Sequence, residues 1–150
     1  MSLVVTAPVP GTAVAMTDVP DPVFAQSIVG PGLAVEPPGG VVEAVAPVAG
    51  TVLKLHPHAF VLLAEGGRGV LVHVGIDTVQ MGGEGFELLA AEGDAVAAGQ
   101  PVLRFDADAV RASGRSAVVP VVALDVPADA LTSLRAPGPV AAGEALFTVP

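Results

Sequence analysis

Val70-Leu71-Val72-His73-Val74-Gly75-Ile76-Asp77-Thr78-Val79-Gln80-Met81-Gly82-Gly83-Glu84-Gly85-Phe86 is the stretch on which the reading of this chain turns. Val70 to Val74 is an apolar strand interrupted once, by an imidazole that needs a reason to sit there. Gly75, Gly82, Gly83 and Gly85 follow, so the backbone past His73 can turn tightly and let another molecule approach closely. A strand-end histidine followed by such a loop suits a site better than a core.

A second histidine precedes it in His58-Ala59-Phe60-Val61-Leu62-Leu63-Ala64, and Glu65-Gly66-Gly67-Arg68-Gly69 between the two runs is turn-forming by composition. The two runs are expected to form a hairpin. With a loop of Glu65 to Arg68, Ala64 pairs with Gly69 and His73 lies opposite Phe60, which puts His58, Phe60 and His73 on one face. A slip of one residue would separate them.

Working outward, short Val-, Ala- and Leu-rich runs end repeatedly in Gly or Pro; eighteen glycines and fifteen prolines in this pattern indicate an all-β chain. Strands are expected over Val4–Val9, Ala13–Met16, Leu33–Glu36, Val41–Val45, Gly50–Leu55, Leu88–Glu92, Val102–Phe105, Val118–Leu124 and Ala145–Val149. Short helical turns are expected after Asp21, with Pro22 at the start, over Ala107–Ala112 capped by Asp106, and within Pro127–Leu134. Ala7-Pro8-Val9-Pro10-Gly11-Thr12 echoes Ala46-Pro47-Val48-Ala49-Gly50-Thr51, and Val96-Ala97-Ala98-Gly99 echoes Val140-Ala141-Ala142-Gly143. Such repetition suggests a duplicated β unit, although so biased a composition also repeats by chance.

The 150 residues suit one domain, 1–150, able to bury a core without metals or disulfides. Cysteine is absent, which removes thiolate catalysis and cysteine-bound zinc. Hydrophobic residues make up 52% of the chain, yet no apolar run approaches membrane-spanning length, so no stable membrane insertion is expected. Met1-Ser2-Leu3-Val4-Val5 lacks the basic stretch of a secretory leader, which makes the cytoplasm the expected compartment. A net charge of -9, with neither Trp nor Tyr, argues against nucleic acid and favours a basic protein partner.

Val72-His73-Val74-Gly75-Ile76-Asp77-Thr78-Val79 with Gly83-Glu84-Gly85-Phe86 closely resembles the active-site signature of the glucose-type enzyme IIA phosphocarriers of the bacterial sugar phosphotransferase system. The likeness extends along nearly the whole chain, through Ala7-Pro8-Val9-Pro10-Gly11, Asp18-Val19-Pro20-Asp21-Pro22-Val23-Phe24, His58-Ala59-Phe60, Glu92-Gly93-Asp94 and Thr148-Val149. It implies a β-sandwich or barrel of the duplicated barrel-sandwich hybrid type. It also implies that His73 takes a phosphoryl group on Nε2 from the histidine protein HPr and passes it to the enzyme IIB domain of a glucose-class transporter. His58 stabilises the group in transit. No cofactor is implied, since the phosphohistidine is itself the intermediate.

A neutral imidazole supplies the nucleophile near pH 7, while His73's other ring nitrogen would donate to a backbone carbonyl in the glycine turn. The resemblance places Asp21 and Asp77 beside the histidines, facing arginines of the donor; the competing reading is a solvated loop acid. Phe24, Ile28, Val29, Phe60 and Val79 are candidates for an apolar rim that admits partners and excludes water, or are simply core. Family members also bind regulatory protein targets, and in some of them zinc is held weakly by the two active-site histidines with a partner's carboxylate. No metal is expected in the isolated chain. The usual threonine two places before the second histidine is here His56, which either orients His58 or is an exposed strand residue. Two rival readings are a zinc metallopeptidase using His56-x-His58, which lacks an upstream histidine, and a biotinyl or lipoyl carrier, for which Lys54 stands outside any modification motif.

Overall fold

The computed structural model describes residues 2–150. Among the described residues, thirteen strands and two short α-helices follow one another as β1 (Leu3–Thr6), β2 (Gly11–Ala15), α1 (Pro22–Ala25), β3 (Gly32–Glu36), β4 (Val41–Val45), β5 (Gly50–His56), β6 (Ala59–Leu63), β7 (Gly69–His73), β8 (Phe86–Leu88), β9 (Ala95–Val96), β10 (Pro101–Asp106), α2 (Ala107–Ala112), β11 (Val119–Ala123), β12 (Gly138–Val140) and β13 (Ala145–Val149). All strand pairs are antiparallel, in an eight-stranded sheet of order β12-β2-β3-β11-β7-β6-β5-β9, a three-stranded sheet β4-β10-β8 and a ribbon β1-β13. The class is all-β, as the turn-dense composition implies. Each sheet has two ends, so the sandwich is formed without a closed barrel.

The repeat in the sequence is a repeat in space. Thr6 N–H donates to Pro47 O and Val45 N–H to Pro8 O, a reciprocal pair that crosses the two Ala-Pro turns. Ala7 N–H bonds Glu144 O as Ala46 N–H bonds Gln100 O, and Gly143 N–H bonds Ala7 O as Gly99 N–H bonds Ala46 O. Val140 pairs with Gly11 just as Val96 pairs with Gly50. Matched bonds at matched offsets define two halves related by a pseudo-twofold, which explains why Gly11 and Gly50 are both glycine: a Cβ on either would run into a strand carbonyl, of Glu36 or of Leu63.

Two apolar clusters fill the interior, and the strands between them show why period-2 alternation is concealed in the central tracts. On β11, Val119, Val121 and Ala123 point into the main core while Val122 joins a second cluster with Met16, Val19, Phe24, Ala34, Ile76 and Val118. β3 divides likewise, Leu33 and Val35 against Ala34. Both faces are apolar because both are covered. β7 follows the same rule: Val70 and Val72 enter the main core, whereas Leu71 packs on the second cluster and His73, two residues on, takes Leu71's side.

Several expectations are displaced. The β6–β7 loop is five residues long: Leu63 pairs with Gly69, and Ala64 N–H bonds Arg68 O. The register therefore slips by one, placing Ala59 opposite His73 and Phe60 opposite Val72. Phe60 lies in the main core at 0% exposure, so of its two expected readings, partner rim or core, the core one holds and its ring has no surface to offer a partner. The strand expected over Leu88–Glu92 runs instead over Phe86–Leu88, ending before the turn that Ala91 N–H closes on Asp94 Oδ2. The strand expected to reach Val9 stops at Thr6, before Pro8 and Pro10. Pro127–Leu134 holds a single turn, Ala130 N–H to Pro127 O, and no helix, because Thr132 exchanges backbone bonds with Thr148 on the final strand. Strand Val41–Val45 and helix Ala107–Ala112, with Asp106 Oδ1 accepting from Ala109 N–H at 3.1 Å, lie where the sequence places them.

Candidate active site

Strand pairing brings the two histidines together without requiring both to lie on one strand face. His56 pairs with Ala59, which makes Pro57-His58 the two-residue tip of the β5–β6 hairpin, with proline at a turn position that suits its fixed φ. Val74 N–H then donates to His58 O at 2.7 Å, tying this tip to the end of β7. The imidazoles of His58 and His73 meet edge to face, centroids 5.5 Å apart and planes at 68°. Convergence thus survives the register slip, since His58 reaches the site from a turn.

Beyond His73 the backbone folds back on itself. Gly75 has φ +77°, where a Cβ would come within 2.5 Å of Thr78 Cγ2 and 3.0 Å of Ser116 O, so the position excludes other residues. This turn aims Gly75 O at His73 Nδ1, 2.6 Å away. A carbonyl only accepts, so Nδ1 carries the proton and Nε2 carries the lone pair in the neutral ring. Thr78, the buried polar side chain among the described residues, braces the turn through Oγ1 to Val74 O at 2.6 Å.

Burial holds the His73 imidazolium below its ordinary pKa, opposed by the bond to Gly75 and by the charges of Asp21 and Asp77. His58 is also pushed down, first by burial and then by the neighbouring His73 and His56. Both rings are therefore held in the neutral form at neutral pH, and His73 presents a basic nitrogen instead of a cation.

The other expected site residues distribute around this pair. Asp21 caps α1, its Oδ1 accepting from Val23 N–H at 2.8 Å, while its charge also acts on His73. Asp77 is exposed in a left-handed conformation, φ +59°, and its charge also acts on His73. Phe24 is buried, with its ring 5.1 Å from that of His73, so it forms the wall of the site and the roof of the second cluster. Ile28 and Val79 are 67% and 60% exposed, and Val29 is half-buried against the second cluster. His56 is exposed at the end of β5, and its ring stacks on His58, centroids 5.6 Å apart and planes 18° apart. Among the described residues no group of three or more His, Asp or Glu side chains is arranged to hold a metal.

Three residues near the site carry no signal in the local sequence. Arg115 Nε bonds Asp77 O at 3.2 Å, its Nη2 bonds Gln80 Oε1 at 3.0 Å, and Ser116 O accepts from Ile76 N–H at 2.9 Å. Only the folded chain brings positions 38 residues apart into contact.

Fold and site define an all-β sandwich protein whose working feature is a neutral, backbone-oriented imidazole paired with a second one, beside the Phe24 ring and within the field of two carboxylates. Residues 3–127 match the family described as phosphoenolpyruvate-dependent sugar phosphotransferase system, EIIA 1, and the chain belongs to that family. It is 42% identical over 139 residues to a PTS system N-acetylglucosamine-specific EIICBA component of Escherichia coli, which covers 91% of this chain and 21% of that protein. A PTS system glucose-specific EIIA component of Staphylococcus aureus is 42% identical over 122 residues, 80% of this chain and 72% of the relative. The chain thus spans about a fifth of the first relative and most of the second. In structure it is similar to glucose permease IIA from Mycoplasma capricolum, with TM-score 0.90 and 29% identity over 99% of this chain and 96% of the other. Among the described residues no helix is long and apolar enough to cross a membrane.

Proposed function

We propose that this chain is a phosphocarrier in which His73 accepts a phosphoryl group from phospho-HPr and donates it to the enzyme IIB domain of a glucose-class sugar transporter. The observation that carries the reading is the 2.6 Å contact from His73 Nδ1 to Gly75 O, which leaves Nε2 as the nucleophile. The lone pair of Nε2 attacks phosphorus, the bond to the donor's imidazole breaks, and that electron pair returns to the donor ring. His73 keeps its proton on Nδ1, donated to Gly75 O, throughout. The neighbouring imidazole of His58 donates to the oxygens on which charge builds. Onward transfer is the same step reversed, with the acceptor supplying the nucleophile.

The surroundings fit this traffic. Ile28, Val29 and Val79, with the wall of Phe24, give an apolar surface for successive partners and keep water from the phosphohistidine. Asp21 and Asp77 offer complementary charge to a basic donor, and the chain works in the cytoplasm, where such a donor is charged. No cofactor takes part, and any zinc at His58 and His73 is weak and completed by a partner's carboxylate. Regulatory proteins that distinguish the two phosphorylation states would read the same surface. The test is incubation with phosphoenolpyruvate, enzyme I and HPr followed by intact mass. One phosphoryl group is expected on the chain and none on His73→Ala; full labelling of that folded variant overturns the assignment.

A further inference from the structure

The turn that carries Asp77 and Val79 past His73 is a short 3-10 segment, Thr78–Met81, entered through the left-handed Asp77. An open surface groove of about 550 Å³ runs beside it, lined by Gln80, Met81, Glu84, Ala109, Ser113 and Arg115. Thr78 Oγ1 anchors the start of the turn to Val74 O, and Met81 packs on the main core at its end. Its internal bonds are long, Gln80 N–H to Asp77 O at 3.2 Å and Gly82 N–H to Val79 O at 3.3 Å. Between these anchors one further side chain ties it to the body. The Arg115 guanidinium reaches from the segment before β11 to Asp77 O and Gln80 Oε1 together, gripping the first and last residues of a four-residue span. The next residues, Ser116 and Val118, hold Ile76 and Gly75 by backbone bonds.

We propose that Arg115 is a positioning residue for the docking of the phosphoryl donor: it fixes the turn so that the Asp77 carboxylate and the exposed Val79 stand at the margin of the His73 cleft. This rests on the phosphocarrier reading. The planar fork matters, because two acceptors lie in the reach of one rigid group, whereas a lysine ammonium would satisfy one of them at a time. The clamp acts on docking and leaves the imidazoles untouched, since His73 is oriented by Gly75 O and braced by Thr78.

The experiment compares wild type, Arg115→Lys, Arg115→Ala, Asp77→Asn and the double variant Arg115→Ala/Asp77→Asn, with phospho-HPr as the varied substrate. Arg115→Ala is expected to raise KM about three- to tenfold with kcat within about twofold, and Arg115→Lys to fall between. A pure charge effect has the opposite sign, because removing a positive charge from a surface that docks a basic donor lowers KM. In the Asp77→Asn background the effect of Arg115→Ala should shrink to within about twofold, as expected for residues acting as one unit. Unchanged or lowered KM, or an undiminished effect in the double variant, overturns the proposal. Amide exchange at Gln80 and Gly82 reads the clamp without any transfer and should quicken about tenfold in Arg115→Ala; unchanged exchange also overturns it. Failure of the wild type to take up phosphoryl from HPr overturns the phosphocarrier reading and the docking role with it, while exchange still reports whether the clamp exists.

Discussion

His73 combines two requirements that conflict in most settings, burial and reactivity. Burial favours the neutral ring, and the proton that remains is committed to Gly75 O. Because the folded-state pKa is lowered, the unfolded chain binds protons more readily, so stability is fullest above the ordinary histidine value and declines as pH falls through it toward the folded value. His58 shifts in the same direction and adds to the effect. The denaturation midpoint is expected to drop between about pH 7.5 and about pH 5.5, and to drop less in His73→Ala, where one of these groups is gone. An equal drop in both proteins would remove His73 from the pH response. The second imidazole needs a different measurement. His58→Gln should still be charged by the donor but pass the group on about a hundredfold more slowly, the scale seen when one donor to a developing charge is removed. Unchanged rates in both directions would take His58 out of the mechanism.

At the level of elements, two hairpins and one turn build the site. The β5–β6 tip delivers His58, β7 delivers His73, and the Gly75 turn sets the tautomer. This last element is sensitive to a single atom. Gly75→Ala must place a Cβ against Thr78 and Ser116 O at a positive φ, and the expected cost is about 1–3 kcal/mol by chemical denaturation. Uptake of phosphoryl by the folded fraction should fall as well, since shifting Gly75 O removes the partner of Nδ1. Loss of stability without loss of uptake would show that this carbonyl is not needed for the nucleophile. The β6–β7 loop shows the limit of reading elements from composition. Glu65-Gly66-Gly67-Arg68-Gly69 announces a turn, but whether four or five residues close it depends on the bond from Ala64 N–H to Arg68 O.

At the scale of the whole molecule, the pseudo-twofold and the two cores decide which side chains are structural. Phe60 belongs to the main core, and Phe60→Ala should cost about 3–5 kcal/mol, as for other buried aromatic truncations. Any loss of phosphoryl uptake in that variant should follow the fraction unfolded and disappear under conditions that restore folding. A defect in the fully folded variant would return Phe60 to the partner surface. Phe24 differs because the second cluster, to which it belongs, lies directly beneath the imidazole. The same two-sided burial explains why the central strands read as continuous apolar runs in a chain whose sheets are antiparallel.

The amino-acid sequence alone determined the class, through its punctuation by proline and glycine, and most strand positions. It also exposed the duplication, because Ala-Pro-x-x-Gly-Thr must recur where a Cβ would strike a crossing strand. The histidine pair was legible through the resemblance of the two motifs that carry it, since an imidazole ending an apolar strand is by itself as readily a core residue. What only the tertiary structure decided is which groups those residues meet. The hairpin register, the burial of Phe60, the two-sided covering of β11 and the grip of Arg115 on Asp77 all join positions far apart in the chain. Local propensity and period carry no information about such pairings; they are selected by which arrangement buries the apolar faces and satisfies the backbone of the whole chain at once.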